Sequence, residues 1–200
     1  MPEERNESTL PPIGVIGLGA MGRGMAGSLR RAGYPVHVFD VRPEAVQAFV
    51  AEGGLGCAGP ADMAARCEVL VSVVVNAAQT EEVLFGPGGA AAAMKPGSLF
   101  VMCSTVDPNW SAQLEARLAE KGLLYLDAPM SGGAAKAASG QMTMMTAGRA
   151  EAYAKAGGTL DAMAAKVYRL GDRAGNGSKF KIVNQLLAGV HIAAAAEAMA

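Results

Sequence analysis

IGVIGLGAMG, residues 13–22, decides how the rest of the chain is read. A short apolar run from Ile13 to Ile16 meets glycines at 17, 19 and 22, the spacing G-x-G-x-x-G, and a helical pattern continues from Ala20 to Arg31. In a strand-turn-helix of this kind the first glycine makes the tight turn and the second lets the backbone approach a pyrophosphate. The third lets the helix pack close to the strand. Helix N–H groups and a positive helix end then face the phosphates, so Gly17, Leu18, Gly19, Ala20, Met21 and Gly22 form the expected cradle. A second apolar run, PVHVFD (35–40), ends in Asp40, 18 residues after Gly22. That is close to the ~20-residue spacing of the carboxylate that receives an adenine ribose. A glycine turn serving helix packing alone would not require this carboxylate.

Asp40, with Val41 beside it, also bears on the choice of dinucleotide. A carboxylate hydrogen-bonds a free 2′-hydroxyl and repels a 2′-phosphate, so NAD is expected over NADP. Arg42, two residues on, is the feature that would favour the phosphate.

Outward from this unit the signals alternate. VLVSVVV (69–75) is apolar on both faces, as a strand covered by helices on each side must be. LFVMCS (99–104), LLYLDAP (123–129), QMTMMTAG (141–148) and KVYRLG (166–171) read as further strands of the sheet. Helices fit Pro43 to Glu52, Asn109 to Lys121 and Glu151 to Ala164, with a last helix from about Gly177. The expected architecture is α/β, with a doubly wound, mostly parallel sheet over 13–172. A tail precedes it at 1–12, and 173–200 begins a long helix.

Composition narrows the partners. The chain has 200 residues, with 17 Lys+Arg against 18 Asp+Glu for a net charge of −1, and offers no electrostatic footprint for nucleic acid or an anionic membrane. At 51% hydrophobic and 18% charged residues it is too apolar for disorder. The three cysteines, Cys57, Cys67 and Cys103, form no C-x-x-C pair, so neither a disulfide framework nor a metal site is expected, and a reducing cytoplasm fits. MPEERNESTLPP carries no apolar run of a secretory signal. Ile182 to Ala200 is interrupted by Asn184, Gln185, His191 and Glu197, and so reads as a buried helix rather than a membrane span. No stop signal follows it, which leads us to expect a longer protein.

Two more motifs carry chemistry. In DAPMSGG (127–133) a strand end runs into Ser131, Gly132 and Gly133, where backbone N–H groups beside a hydroxyl suit a substrate carboxylate; a tight turn serving geometry alone is the other reading. In GNGSKFKIVNQ (175–185) the residues Lys181, Asn184 and Gln185 share one helix face in apolar company. Desolvation there brings an ammonium towards a pKa useful for proton transfer. A snorkelling structural lysine is the alternative.

Together, and in this order, the three motifs resemble the β-hydroxyacid dehydrogenases, over about Ile13 to Ala200. The resemblance implies a Rossmann-type domain, a long interdomain helix and then an all-helical C-terminal domain, in a homodimer or homotetramer. By position, Lys181 matches the family's catalytic lysine, Ser131, Gly132 and Gly133 its substrate-carboxylate loop, and Asn184 a substrate-holding amide. Val75, Asn76 and Thr105 match cofactor-contacting positions. Gln185 departs from the second Asn that much of the family carries; the threonate-type members share it. This implies NAD-dependent oxidation of a small hydroxy acid at C2, L-threonate or D-erythronate. Oxidation of 3-hydroxyisobutyrate, reduction of tartronate semialdehyde, and a non-catalytic dinucleotide-binding module are the alternatives.

Overall fold

The computed structural model describes residues 10–200, so most of the expected 1–12 tail lies outside the described residues. Six strands form one parallel sheet. They are β1 (Ile13–Ile16), β2 (Val36–Phe39), β3 (Leu55–Gly56), β4 (Val69–Ser72), β5 (Leu99–Met102) and β6 (Leu124–Asp127), in the order β3-β2-β1-β4-β5-β6. The order reverses between β1 and β4, the position at which open α/β sheets leave a ligand crevice. Pairing is in register, so Ile16, Phe39, Ser72, Met102 and Asp127 form one row at the carboxyl edge.

Alternate side chains build two cores. Val15, Val38, Val71, Val101 and Leu126 face one side with residues of α1 (Ala20–Arg31), α6 (Gly133–Ser139) and α7 (Ala150–Met163). Ile16, Leu70, Phe100, Met102 and Tyr125 face the other, with α3 (Pro60–Arg66) and α5 (Pro108–Ala119). The two remaining sheet-side helices are α2 (Pro43–Ala51) and α4 (Ala77–Phe85). Proline at the first position starts α2, α3 and α5, where its missing N–H costs nothing. Asp107 caps α5 by accepting from the N–H groups of Asn109 (2.8 Å) and Trp110 (3.0 Å).

The chain departs from its expected course after β6. QMTMMTAG and KVYRLG do not extend the main sheet. They form β8 (Met142–Thr146) and β9 (Ala164–Arg169), which join β7 (Met130–Ser131) in a separate three-stranded sheet. Gly132 (φ 142) and Gly133 (φ 74) turn the chain back, and β8 runs antiparallel to β7. The two sheets are tied by one antiparallel bridge, in which Asp127 and Ala147 exchange N–H···O bonds of 3.0 and 2.8 Å.

The last helix, α8 (Asn176–Met199), was expected to be buried and is not. Only Gly177 and Ser178 are buried, Lys181 is half-buried, and Ile182, Val183, Leu186, Leu187, Val190 and Ile192 are exposed. Its apolar residues point all round the helix, whereas the described chain meets it mainly on β8, α5 and β6. Among the described residues α8 is the one helix long and apolar enough to cross a bilayer by length and composition.

A methyl group added at Gly22 would lie 1.9 Å from the Gly17 carbonyl oxygen, whereas one at Gly19 would meet nothing within 4 Å. Gly22→Ala is therefore expected to cost about 2–4 kcal/mol of stability and to lower Tm by roughly 4–16 °C. Gly19→Ala should melt near wild type. Thermal unfolding checks the contrast, and a Gly22→Ala protein melting with wild type would contradict it.

Candidate active site

Two crevices lie along the carboxyl edge. The first surrounds the glycine loop. Gly17 has φ 93, and a Cβ there would meet the Val73 carbonyl oxygen at 2.6 Å, so β1 turns where no side chain fits. No side chain caps the N-terminus of α1 at Gly19, which leaves its first N–H groups free for an anion. With open space at Gly19 as well, the residues present fit a pyrophosphate.

Asp40 holds this loop in place. Its Oδ2 accepts the Leu18 N–H at 2.6 Å, and its Oδ1 accepts the Arg42 N–H at 2.9 Å and the Arg42 Nε–H at 3.1 Å. Burial pushes the Asp40 carboxyl up, but the Arg42 guanidinium and the two backbone donors outweigh it and hold the group below its ordinary pKa. Gly17, Gly19, Asp40, Val41 and Val75 line one cleft of about 350 Å³. Leu18, Ala20, Met21, Gly22, Asn76 and Thr105 are not on that lining. The Asn76 side-chain oxygen accepts the Gln79 N–H at 2.9 Å and so caps α4. Gln79, which sequence reading missed, in turn accepts the Val75 N–H at 2.8 Å and lines the cleft.

The second crevice, about 440 Å³, brings Ser131 together with Asn184. Thr143, Met145, Tyr168, Leu170 and Phe180 complete its wall. The alternation in QMTMMT was the available signal for Thr143, because Met142 and Met144 go to the core and the residue between them faces the other way, whereas Met145 lines the crevice while itself buried. Gly132 and Gly133 are exposed at the turn into α6. Lys181 stands on α8 between Phe180 and Asn184, and has neither a hydrogen bond nor an ion pair with the described residues. Burial alone lowers its pKa from the ordinary lysine value. Gln185 and Lys179 are exposed, and of the expected site residues here only Ser131 and Asn184 are on the crevice lining, with Lys181, Gly132, Gly133 and Gln185 off it.

Sequence reading also missed what Asp127 does. Its side chain is fully buried. Its Oδ2 accepts the N–H groups of Gly175 and Ser178, both at 2.9 Å, and its Oδ1 accepts the Ser178 hydroxyl at 2.8 Å. Burial raises the Asp127 pKa, and the donations from Ser178 and Gly175 oppose that rise. Among the described residues no group of three or more His, Cys, Asp or Glu side chains is gathered as a metal site. The three cysteines are free and buried.

Residues 12–171 match the model of the NAD-binding domain of 6-phosphogluconate dehydrogenase. The chain belongs to this NAD-binding family. It is 64% identical over 188 residues to an L-threonate dehydrogenase of Cupriavidus necator, covering 94% of this chain and 63% of that protein. The crystal structure of a 3-hydroxyisobutyrate dehydrogenase from Salmonella typhimurium superposes with a TM-score of 0.90 at 46% identity, over 95% of this chain and 66% of the other. A Mycobacterium tuberculosis 3-hydroxyisobutyrate dehydrogenase solved with L-serine gives a TM-score of 0.88 at 30% identity, over 94% and 64%. The chain thus spans just under two thirds of the length of these relatives. The Rossmann-type fold and the NAD-binding domain expected from the glycine motif are both present.

Asp40→Ser removes the charge that a 2′-phosphate would meet while leaving room for a ribose. The ratio of NADP to NAD dissociation constants, measured by fluorescence titration, is expected to fall ~10- to 150-fold, the equivalent of ~1–3 kcal/mol. An unchanged ratio would remove Asp40 as the discriminating group.

Proposed function

We propose that this chain forms the cofactor-binding and lysine-bearing part of an NAD-dependent dehydrogenase that oxidises a small hydroxy acid at C2, with L-threonate or D-erythronate as substrate. The observation that carries this reading is Lys181, half-buried and unpaired on α8, one turn before an Asn184 that shares a crevice with Ser131. The printed name of the 64% identical relative supports threonate among the hydroxy acids.

NAD, when bound along the glycine loop, supplies the hydride acceptor. The remaining work falls to the protein. The Ser131 hydroxyl and the N–H groups of Gly132 and Gly133 hold the substrate carboxylate, and the Asn184 amide holds a substrate hydroxyl. Lys181, kept partly dry by the start of α8, takes the proton of the reacting hydroxyl as its carbon gives up hydride, and returns it in the reverse direction. Gly17 to Gly22, Asp40, Val41, Val75, Asn76 and Thr105 serve the dinucleotide. A second reading, oxidation of 3-hydroxyisobutyrate, draws on the names of the two solved relatives; Gln185 in place of a second Asn speaks for threonate.

The wider organisation is part of the same proposal. Residues 13–172 are the NAD domain and 173–200 open a long interdomain helix, whose exposed apolar side chains support packing against an all-helical domain within a homodimer or homotetramer. The helix starts inside the fold and carries Lys181, Asn184, Gln185 and His191 along its length, which supports a role in a soluble cytoplasmic protein rather than in a bilayer.

In the full-length protein Lys181→Ala is expected to lower kcat for L-threonate by ~10² to 10⁴ while the NAD dissociation constant stays near wild type. Lys179→Ala, exposed and about 160° round the helix, should leave kcat within about threefold. Steady-state assays following NADH test this, and full activity of Lys181→Ala would end the mechanism. The pH profile gives a second check. The lysine must be neutral to accept a proton, so kcat/KM should rise with pH through an inflection below 10.5, the ordinary lysine value from which burial lowers it. A profile flat across the alkaline range would point to another base.

A further inference from the structure

We propose that Asp127 is a positioning residue for Lys181, acting as a clamp that joins the two halves of the substrate crevice. This rests on the role proposed above for the lysine. Asp127 is the last residue of β6, and Ala128, Pro129 and Met130 lead from it to Ser131, Gly132 and Gly133. Its carboxylate meanwhile accepts the Gly175 N–H, the Ser178 N–H and the Ser178 hydroxyl, all in the entry to α8. Ser178 lies three residues before Lys181, on the same helix face. One side chain therefore fixes both the loop proposed for the carboxylate and the helix proposed to bring the base.

The form of the cap argues that position is what it provides. Helix N-termini are ordinarily capped by a Ser, Thr, Asp or Asn of the helix itself, at little desolvation cost. In α8 the N-cap is Gly175, which has no side chain to offer, and the acceptor comes from a strand 48 residues away in sequence. Burying a carboxylate for this purpose is costly unless its acceptor positions are filled. Satisfying orphan N–H groups alone would not require it. Steric contacts hold the same joint from two other sides, since a Cβ at Gly175 would meet the Pro108 carbonyl oxygen at 2.4 Å and one at Gly177 the Met145 carbonyl oxygen at 2.4 Å. The start of α8 is thus seated between α5, β6 and β8, and the carboxylate sets its depth.

The test uses the full-length protein with Asp127→Asn, which keeps the volume but replaces the carboxylate by a neutral amide, a weaker acceptor for the two N–H groups that presents an NH₂ to the Ser178 hydroxyl, and Ser178→Ala, which removes one bond of the three. Three quantities are read at 25 °C: kcat and KM for L-threonate, the NAD dissociation constant, and the pH dependence of Lys181 acetylation by acetic anhydride, followed by mass spectrometry. A displacement of about 1 Å at a reacting group costs on the order of 10²-fold, so Asp127→Asn is expected to lose about that much kcat, and Ser178→Ala about tenfold. NAD affinity should be retained in both. Lys181 labelling should shift to higher pH, towards an ordinary lysine, because the displaced amine regains water. A folded Asp127→Asn protein with lowered Tm but unchanged kcat and labelling would show a purely structural cap and overturn the proposal. Should Asp127→Asn fail to fold, unchanged kcat and labelling in Ser178→Ala would overturn it equally. If the wild type oxidises neither L-threonate nor any other hydroxy acid, the functional reading fails. The labelling shift then still decides whether Asp127 positions Lys181.

Discussion

The parallel pairing of β1 with β4 is the constraint on which the rest of this structure depends. Ile13 to Ile16 lie in register with Val69 to Ser72, with β2 on the other side of β1. The chain must therefore cross back over both faces of the sheet, and all the strand ends gather at one edge. The crevice at that edge exists because connections from β1 and β4 leave in opposite directions. The glycine loop, the Asp40 turn and the Val73 to Val75 stretch meet there without any of them having to reach for the others. The close contact of Gly22 with the Gly17 carbonyl then sets how near α1 comes to the sheet, and hence where its free N–H groups point.

Two aspartates at strand ends do similar work under opposite electrostatic conditions. Asp40 follows β2, receives a backbone N–H from the glycine loop and is kept ionised by Arg42. Asp127 ends β6, receives backbone N–H groups from α8 and is buried with no cation beside it, so its pKa moves up instead. The first sits where a ligand can compete for its oxygens, because Arg42 is exposed and can yield. The second has its oxygens filled from within the protein. A carboxylate that lines the cleft and one enclosed within the protein are thus told apart by their partners, although both read in the sequence as an aspartate closing an apolar run.

That likeness explains what was legible before the structure. The main sheet was readable because PVHVFD, VLVSVVV, LFVMCS and LLYLDAP are apolar runs separated by helical stretches, and the helices α1, α2, α5 and α7 began and ended within a residue or two of their expected bounds. β3 and α3 are too short to show a period, with two and seven residues; α4, as long as α2, lacks the proline that marks the start of α2. The second sheet was misassigned for a different reason. Strand pattern records which face of a strand is buried and says nothing about which sheet it joins. The turn at Gly132 and Gly133, which redirects β7 and β8, had been read as part of the carboxylate loop. The pairing of Ser131 with Asn184 across a crevice was foreseeable as chemistry, but its walls from Thr143 and Tyr168 depend on that redirected sheet.

The basicity of Lys181 has an unusual dependence that follows from its surroundings. Among the described residues burial is the cause of its lowered pKa, with no charged group contributing. A lysine tuned by a neighbouring cation would keep its shift as long as that cation stayed, whereas one tuned by desolvation changes whenever its cover changes. The cover here is partial, since Phe180 and Ile182 on either side of it in sequence are exposed. An apolar surface laid over the amine would withdraw more water from it and lower its pKa further, whereas a carboxylate brought beside it would raise the pKa. The glycine loop and the Lys181 amine are in this way shaped by separate physical devices, the first by backbone geometry fixed at the sheet edge and the second by how dry the start of a single helix is kept.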